Sequence, residues 1–329
     1  MIRERGIITN YNTRMVPQTS FEGRVLKFDF PELQIGIAEY REGPTGCTVF
    51  YFPEDVISVV DVRGGFPATI RGTSAEDGRT SAICFTGGSA YGLEAVTGVA
   101  SEIFSMRGYF GVYNIRGAAI YDFFRNNMIY PDKELGKSAI KSAQTGLFPL
   151  GFHGVGCWPG CGPAFDCLQP DGTGQGGAFR QIDDIKIAIF TVVNALGVIV
   201  DRQGNIVRGN YDRKTGKRYY YNELLEKRLK NNEKAEPHYA TTTLTLVVTN
   251  QKYDIESLRQ LSRQIHSSMA RAIQPFHTKD DGDVLFMATT NGVDNGIIDI
   301  NDFGVIASEL AWDAILSCFQ GYDSSGESV

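Results

Sequence analysis

The sequence predicts a layered α+β fold in which helices cover β-sheets. Short runs rich in Val, Ile, Tyr and Phe lie between glycines and prolines, amphipathic helical patterns occur among them, and the two kinds of element follow no regular βαβ period. With 329 residues, 42% of them hydrophobic, the chain has enough apolar material for a substantial core. No internal repeat or low-complexity tract interrupts this pattern.

The net charge and the hydropathy pattern limit the classes of partner that the protein is expected to have. The chain carries 32 basic and 38 acidic residues, a formal net charge of −6, which argues against a dedicated nucleic-acid binder. The start MIRERGIITN lacks the apolar run of a secretory signal, and no stretch approaches the ~18 apolar residues of a membrane span. We therefore expect a cytoplasmic protein with neither a nucleic-acid nor a membrane partner.

The first two-thirds of the chain predicts several strands and one helix. Four apolar runs bounded by Gly or Pro, at 35–40, 47–53, 56–62 and 81–85, read as strands. The glycine-rich turn TGGSAYGLEA (86–95) then leads into a helix from about Tyr91 to Met106. The continuous apolar runs at 185–193 and 196–201 predict a pair of strands buried on both faces.

The last third begins with a polar segment and then returns to regular structure. Residues 212–240 are dense in charge and predict a surface connection with a short helix around NELLEKRLK. Strands follow at 241–250 and 283–290. Between them, Asp254 is expected to cap a helix over Ile255–Ile273 that Pro275 ends, and a last amphipathic helix is expected over Phe303–Phe319.

The junction at 240–243 has the layout of an N-terminal-nucleophile hydrolase. A loose charged loop runs directly into a threonine-rich strand. If the chain is cut before Thr242, its hydroxyl can act as nucleophile and the freed α-amine as base, since an α-amine has a pKa near 8. The alternative is that threonines simply favour strands.

Three further features could carry chemistry. Asp281 and Asp283 flank Gly282 before a strand, where they could orient an ammonium and a hydroxyl, or form only an acidic turn. The turn at 86–95 could present N–H groups to an anion or oxyanion, or only pack a strand against a helix. Asn194, between two apolar runs, is either structural or an oxyanion donor.

The histidines and cysteines are assigned structural roles. His153, His238, His266 and His277 show no local catalytic or metal-binding pattern, so a structural or surface role is expected for each. Cys157, Cys161 and Cys167 cluster with His153 nearby, but their spacing differs from the usual zinc pairs. Buried or turn-lining thiols are the favoured interpretation, and a metal site is the alternative.

Several segments together resemble a known family. ICFTGGSAYGLEA, TGQGGAF, NALGVIVDRQGNIVRGNYD, TTTLTLVVTN and QIHSSMARAIQPFHTKDDGDVLFMATT occur in this order. They are similar to the self-cleaving hydrolases that include L-aminopeptidase/D-esterases, β-aminopeptidases and nylon-oligomer hydrolases. The resemblance runs from about residue 24 to the C-terminus.

The resemblance implies a fold, a processing event and a substrate class. It implies an αββα sandwich like that of N-terminal-nucleophile hydrolases with different connectivity, in one domain over 1–329. It implies a cut between Thr241 and Thr242, giving an α chain 1–241 and a β chain 242–329 that stay together and assemble as a homo-oligomer, a tetramer of αβ units. The expected substrates are linear 6-aminohexanoate-type oligomers, short peptides or amino-acid amides, without a metal or organic cofactor.

The resemblance also implies site residues. Thr242 matches the nucleophile, Asn194 the asparagine that helps hold the oxyanion, and Tyr121 a tyrosine that lines the substrate site. Asp281 and Asp283 match the acidic pair that orients the nucleophile.

Two positions depart from the family pattern. Thr241 stands where Asn or Gly usually precedes the cut, and Pro163 aligns with the family's active-site lysine. The alternative hypothesis is therefore an uncut, weakly active or non-catalytic homologue that keeps the fold and the oligomer and serves a binding role.

Overall fold

The elements of regular structure are defined on a computed structural model that describes residues 7–111, 114–162, 170–234, 240–294 and 296–319. The main sheet contains β1 (Gln34–Tyr40), β2 (Thr45–Val62), β3 (Thr69–Ile70), β4 (Gly78–Thr86), β5 (Ile115–Ala119), β6 (Gln144–Thr145), β7 (Gln175–Ile182), β8 (Ile185–Asn194), β9 (Thr242–Gln251) and β10 (Val284–Val293). The helices are α1 (Ser89–Gly92), α2 (Glu94–Met106), α3 (Lys133–Lys141), α4 (Tyr221–Lys230), α5 (Ile255–Ser268) and α6 (Ile300–Leu316).

Shorter elements connect these. Single-turn 3-10 helices lie at Ser74–Glu76, Gly154–Cys157 and Met269–Arg271. Short strands outside the main sheet are Ile8–Thr9, Val25–Lys27, Asn127–Met128, Leu147–Pro149, Gly160–Cys161, Asp171–Gly172, Val198–Val200, Ile206–Arg208, Tyr211–Asp212, Lys217–Arg218 and Ile273–Gln274.

The strand order of the main sheet places the threonine strand between two long neighbours. The order is β7-β8-β9-β10-β2-β4-β5-β3, with β1 also paired to β2 and β6 to β1. β9 runs antiparallel to β8 and parallel to β10, so its two sides belong to segments far apart in the sequence. All ten residues of β9 are buried, as expected for a strand covered on both faces.

Strand β2 passes from one sheet layer to the other. Its register with β4 shifts between Tyr51 and Val56, around Pro53, which cannot donate a ladder hydrogen bond. Before the shift β2 pairs with β1, and after it with β10. The prediction of two separate strands at 47–53 and 56–62 was wrong, because the polar interruption marks a bulge and not a turn.

Three apolar cores separate four layers. The central core lies between the two sheet layers and contains Phe50, Phe85, Phe190 and Phe286, which are at most 1% exposed. Helices α5 and α6 pack on the outer face of one layer, and α2 and α3 pack on the outer face of the other. This confirms the αββα sandwich.

Two elements of the second half differ from the prediction. Helix α5 begins after its predicted cap, where Asp254 accepts a hydrogen bond from Ser257 N at 2.7 Å, but ends at Ser268 instead of Ile273. After this helix, Ile273–Gln274 forms a short strand that pairs with Val198–Val200 in a separate three-stranded sheet. No helix among the described residues is long and apolar enough to cross a membrane.

Candidate active site

The junction residues lie inside the sheet, at the start of β9. Thr241 is 1% exposed and Thr242 is 4% exposed. Thr241 forms a parallel bridge with Asp281, and the same offset pairs Leu244 with Val284 further along. This register places Gly282 beside Thr242. On the other side, Asn194 is the antiparallel partner of Thr242, so the sheet itself brings these predicted site residues together.

The carbonyl group of Thr241 receives two hydrogen bonds. Thr242 Oγ1 donates to Thr241 O at 2.6 Å, and the backbone N–H of Gly282 donates to the same oxygen at 2.7 Å. The hydroxyl of residue 242 is therefore held against the peptide bond that precedes it. The N–H of Gly282 is placed to stabilise negative charge that develops on this oxygen.

Gly282 provides the space for the Thr242 hydroxyl. A Cβ added at Gly282 would lie 2.6 Å from Thr242 Oγ1 and 2.9 Å from Phe66 O. In the sequence, the two aspartates stand out as candidate site residues, whereas no local pattern marks the glycine between them. The role of Gly282 can be recognised only when the pairing of β9 with β10 is known, because the parallel register is what places it directly beside Thr242.

Asp281 holds the residue that precedes the junction. Its Oδ1 accepts a hydrogen bond from Thr241 Oγ1 at 2.5 Å, and its Oδ2 accepts from Thr278 N at 2.8 Å and Thr278 Oγ1 at 2.7 Å. The Asp281 side chain is almost fully buried, with the residue 1% exposed. The Thr241 side chain is thus anchored to one of the predicted acidic residues.

Asp283 holds the residue that follows the nucleophile. Its Oδ1 accepts from Thr243 N at 2.7 Å, and its Oδ2 accepts from His277 N at 3.1 Å and His277 Nδ1 at 3.0 Å. Burial raises the pKa of Asp283 to about 6, and the nearby charge of Asp281 acts in the same direction, while hydrogen bonds from His277 and Thr243 oppose it. The two carboxylates therefore clamp the chain on either side of Thr242.

The Asn194 amide is fixed by two backbone groups. Its Nδ2 donates to Tyr121 O at 2.9 Å, and its Oδ1 accepts from Gly160 N at 3.1 Å. One of the two Nδ2 hydrogens is used in this way, so a second can serve a ligand. The ring of Tyr121 packs edge-on against Phe123 and Phe124, with centroids 5.6 and 5.5 Å apart.

Two histidines that the sequence analysis assigned structural or surface roles lie behind the acidic pair. His277 bonds Asp283, as described, and the fully buried His266 bonds Asp61 through Nδ1 at 2.9 Å. Their ring centroids are 4.4 Å apart. His153 bonds Glu39 and the carbonyl of Glu22, away from these contacts. His238 lies outside the described residues.

The glycine-rich turn at 86–95 is a packing turn. Gly88 N donates to Asp122 Oδ1 at 2.9 Å, Gly87 N to Gly46 O at 3.0 Å and Ser89 N to Ile120 O at 2.8 Å. These N–H groups are bound within the protein and do not face a ligand. Of the two interpretations left open by the sequence, the contacts favour strand–helix packing over an anion site.

The cysteine cluster shows no metal-binding geometry in the part of the chain that the structure describes. Cys161 is buried in the core beside α6, Cys157 is half-buried, and no group of three metal-ligating side chains occurs among the described residues. Burial raises the pKa of both thiols above the usual range. Cys167 and Pro163 lie outside the described residues.

Comparisons with known proteins show which family the sequence matches. The sequence model of peptidase family S58 matches residues 28–320. A 6-aminohexanoate-oligomer endohydrolase from Kocuria sp. (strain KY2) is 40% identical over 321 residues, covering 92% of this chain and 88% of that protein.

Two solved structures share the fold. A Burkholderia sp. beta-aminopeptidase superposes with a TM-score of 0.63 at 16% identity and covers 98% of this chain and 93% of its own. An L-aminopeptidase D-Ala-esterase/amidase from Ochrobactrum anthropi, described as a variant of the Ntn-hydrolase fold, gives a TM-score of 0.64 at 12% identity, with 91% and 88% coverage.

Proposed function

The chain belongs to peptidase family S58 and is an amide-bond hydrolase, and we propose that its nucleophile is Thr242, freed when the protein cuts its own Thr241–Thr242 peptide bond. The observation that carries the proposal is the Thr241 carbonyl, which accepts hydrogen bonds from both Thr242 Oγ1 and Gly282 N. A nucleophile and an oxyanion donor thus converge on one peptide bond.

The self-cleavage proceeds as an acyl shift followed by hydrolysis. Thr242 Oγ1 attacks the Thr241 carbonyl carbon, and the negative oxygen of the tetrahedral intermediate accepts the N–H of Gly282. The C–N bond then breaks, the nitrogen takes up the proton that the hydroxyl loses, and an ester joins Thr241 to Oγ1. Water hydrolyses this ester, which leaves a carboxylate on Thr241 and a free α-amine on Thr242.

The freed residue then repeats this chemistry on a substrate. Its α-amine takes the proton from Oγ1 as the hydroxyl attacks an amide carbonyl, because an α-amine with a pKa near 8 can act as a base close to neutral pH. The unused N–H of Asn194 and the N–H of Gly282 are the proposed oxyanion donors. Asp281 and Asp283 orient the strand that carries the nucleophile.

The proposed substrates are linear ω-amino-acid oligomers of the 6-aminohexanoate type, with short peptides and amino-acid amides as related candidates. The likeness to the Kocuria endohydrolase supports this class. Tyr121 is the proposed substrate-lining residue. The backbone of Phe66 lies next to Gly282, with its N–H bound to Asp281 O at 2.9 Å, and its side chain is 70% exposed, so we propose it as a second apolar surface for polymethylene segments.

The intact mass of the purified protein under denaturing conditions tests the proposal. We expect two species that meet between Thr241 and Thr242, and we expect Thr242→Ala to show one full-length mass and no hydrolysis of a 6-aminohexanoate oligomer. Thr290→Ala is the matched control, since Thr290 lies in β10 and its hydroxyl is buried without a partner among the described residues. Hydrolysis retained by Thr242→Ala would refute the mechanism.

The alternative is an uncut homologue that keeps the fold and serves a binding role. Thr241 in place of the usual Asn or Gly motivates it. A single full-length mass in the native protein, with no hydrolysis, would favour this alternative. The hydrogen bond from Thr241 Oγ1 to Asp281 supports the cleaving form, because it fixes the residue before the cut in place of the usual side chain.

The proposed function also includes an oligomeric state and a cellular location. We propose that cut αβ units form a tetramer in the cytoplasm and need no metal or organic cofactor. Sedimentation velocity on the purified protein measures the assembly directly, and a mass of one αβ unit would contradict it. Activity that survives exhaustive treatment with a chelator would support the absence of a metal requirement.

A further inference from the structure

The orientation of the Asn194 amide depends on the segment that carries Tyr121. Residues 121–126 follow β5 and lie outside the helices and strands. The carbonyl of Tyr121 accepts one Nδ2 hydrogen of Asn194 at 2.9 Å, and Gly160 N donates to Asn194 Oδ1 at 3.1 Å. A shift of the Tyr121 carbonyl would therefore turn the Nδ2 group, together with the second hydrogen that is proposed to meet the oxyanion.

A buried ion pair holds this segment. Asp122 is 1% exposed and Arg125 is 7% exposed. Arg125 Nη2 donates to Asp122 Oδ1 at 2.8 Å, its Nε donates to the carbonyl of Asp122 at 3.0 Å, and its Nη1 donates to Asn127 Oδ1 at 2.6 Å. One guanidinium thus joins the two ends of the segment, since Asp122 directly follows Tyr121 and Asn127 begins the next short strand.

The carboxylate of Asp122 is also anchored to the main sheet. Its Oδ2 accepts a hydrogen bond from Thr45 Oγ1, at the start of β2, at 2.6 Å, and its Oδ1 accepts one from Gly88 N, just after β4, at 2.9 Å. A Cβ added at Gly87 would lie closer than 3.0 Å to both Asp122 Oδ2 and Thr45 Oγ1. The glycine-rich turn therefore leaves the room that this carboxylate occupies.

The same guanidinium reaches the aromatic group around Tyr121. Arg125 Cζ lies 5.1 Å from the centre of the Phe123 ring, and the centroids of the Phe123 and Tyr121 rings are 5.6 Å apart. A cation over an aromatic face is attracted to it. Arg125 therefore acts on both parts of Tyr121 that the proposed function uses, the carbonyl that orients Asn194 and the ring that lines the substrate site.

A buried ion pair of this kind is better explained by position than by stability. The loss of hydration of two buried charges offsets much of their attraction, so such a pair is weak evidence for a stabilising role. Its geometry is specific, because the planar guanidinium fixes several hydrogen-bond directions at once, whereas an ammonium is a single point charge. The pair between Asp122 and Arg125 fixes the backbone beside the Tyr121 carbonyl.

We propose that Arg125, acting through Asp122, is a positioning residue that orients the Asn194 amide toward the oxyanion of the substrate. This inference rests on the proposed function, in which Asn194 donates to that oxyanion. The Asn194 amide holds its position only while the Tyr121 carbonyl holds its own.

Self-cleavage provides a contrast within the same protein. The Thr241 carbonyl accepts hydrogen bonds from Thr242 Oγ1 and Gly282 N, and the proposed cutting step uses these two donors without Asn194. Loosening the segment at 121–126 should therefore slow hydrolysis of a substrate and leave self-cleavage at its native rate.

The test is a double-mutant cycle on kcat for hydrolysis of a 6-aminohexanoate oligomer by the cut protein. Loss of one oxyanion donor lowers kcat by roughly 10²–10³-fold, which is the range expected for Asn194→Ala. Arg125→Lys keeps the cation but cannot reach Asp122 and Asn127 together, so we expect kcat to fall about tenfold. In the Asn194→Ala background the same change should lower kcat by less than about twofold, because the amide that Arg125 orients is absent.

Thr45 gives a second route to the same carboxylate. Thr45→Val removes the donor to Asp122 Oδ2 without changing the shape of the side chain, and we expect a fall in kcat of about threefold that again disappears in the Asn194→Ala background. Thr45→Ser keeps the hydroxyl and should keep the native kcat. If Arg125→Lys is insoluble, the comparison of Thr45→Val with Thr45→Ser decides the question.

Arg107→Lys is the matched control. Arg107 also bonds a carboxylate, Asp55 at 2.9 Å, and a backbone carbonyl, Pro53 O at 2.9 Å, but these partners lie at the bulge of β2. Its kcat and its self-cleavage should be native. An equal loss of kcat by Arg125→Lys in both backgrounds would overturn the proposal, as would an equal slowing of self-cleavage, which would indicate a general distortion of the sheet.

The failure of this inference and that of the proposed function are distinguishable. If native protein shows one full-length mass and no hydrolysis, the proposed function fails before any variant is made. If Asn194→Ala keeps the native kcat, the proposed oxyanion donor is wrong, and the role of Arg125 is wrong with it. If native protein is cut and active and Asn194→Ala lowers kcat, but the effect of Arg125→Lys is the same in both backgrounds, only the role of Arg125 fails.

Discussion

A single methyl group at residue 282 tests whether the position of the Thr242 hydroxyl controls self-cleavage. In Gly282→Ala the new Cβ would lie 2.6 Å from Thr242 Oγ1 and 2.9 Å from Phe66 O. Gly282 has an ordinary backbone conformation, and the substitution keeps its N–H. The change therefore acts on the space beside the hydroxyl and leaves the proposed oxyanion donor in place.

The expected magnitude follows from this distance. Contacts of this kind are essentially never under 3.0 Å, so the Thr242 hydroxyl must move by about 0.4 Å or rotate away. Since a displacement of ~1 Å at a reacting atom costs roughly 10²-fold in rate, we expect self-cleavage to slow by about tenfold or more. The free energy of unfolding should fall by only about 1–3 kcal/mol, as for other overpacked sites.

The assay is the fraction of uncut chain, measured by intact mass at fixed times after synthesis, together with urea unfolding of each variant. Gly292→Ala is the matched control, because it lies in β10 and its added Cβ would meet nothing closer than 3.8 Å. Cutting of Gly282→Ala at the native rate would show that the hydroxyl does not need this space, and the assignment of the nucleophile would have to be revised.

Two further predictions concern Thr241, which precedes the nucleophile, and the buried His266 on α5. Thr241→Val removes the donor to Asp281 Oδ1 and leaves a buried carboxylate with one partner fewer, so cutting should slow about tenfold by intact mass, whereas Thr241→Ser should cut at nearly the native rate. Burial lowers the pKa of His266 to about 4, against ~6.5 for an unfolded histidine. The unfolded chain therefore takes up a proton between pH ~6.5 and ~4 that the folded chain does not, and the unfolding free energy should fall as the pH falls through this window. In urea titrations, His266→Asn should remove this pH dependence of the unfolding free energy. The contribution of Asp283 has the opposite sign, because its raised pKa favours the folded state at lower pH. A difference in unfolding free energy between variant and native protein that stays constant across the window would contradict the lowered pKa of His266.

Local patterns were sufficient to predict many elements of the fold. Residue type and spacing predicted a strand over 241–250, the Asp254 cap of α5 and the short helix α4. Each is confirmed, the strand one residue further along at Thr242–Gln251. These features depend on neighbours a few residues away. The resemblance supplied the sandwich itself, which no local pattern specifies.

The errors concern pairing over long distances. The runs at 185–193 and 196–201 predict two buried strands, and both are present, but their partners were not predicted: Val198–Val200 pairs with Ile206–Arg208 and Ile273–Gln274, outside the main sheet. An apolar run contains no information about which strand it pairs with, and a strand can be buried on both faces in the main sheet or in the three-stranded sheet. The same limit applies to helix α5, which ends early because the chain must reach this pairing.

The site was predicted in part for the same reason. Thr242, Asp281 and Asp283 stand in recognisable local contexts, and the structure brings them together. His266 and Asp61 are 205 residues apart in the chain, and no local pattern joins them. Gly282 became significant only when the parallel register of β9 and β10 placed it beside Thr242.

The position of β9 and β10 in the sheet has a consequence for the refolding of the cut protein. After a cut before Thr242, both strands belong to the small fragment, yet β9 pairs with β8 and β10 pairs with β2, which belong to the large fragment. The small fragment is thus inserted between two strands of the large one. Refolding of the uncut chain is unimolecular, whereas recovery of the separated fragments requires an encounter and must depend on concentration. Cutting would convert a reversible folding reaction into an assembly that dilution alone can prevent.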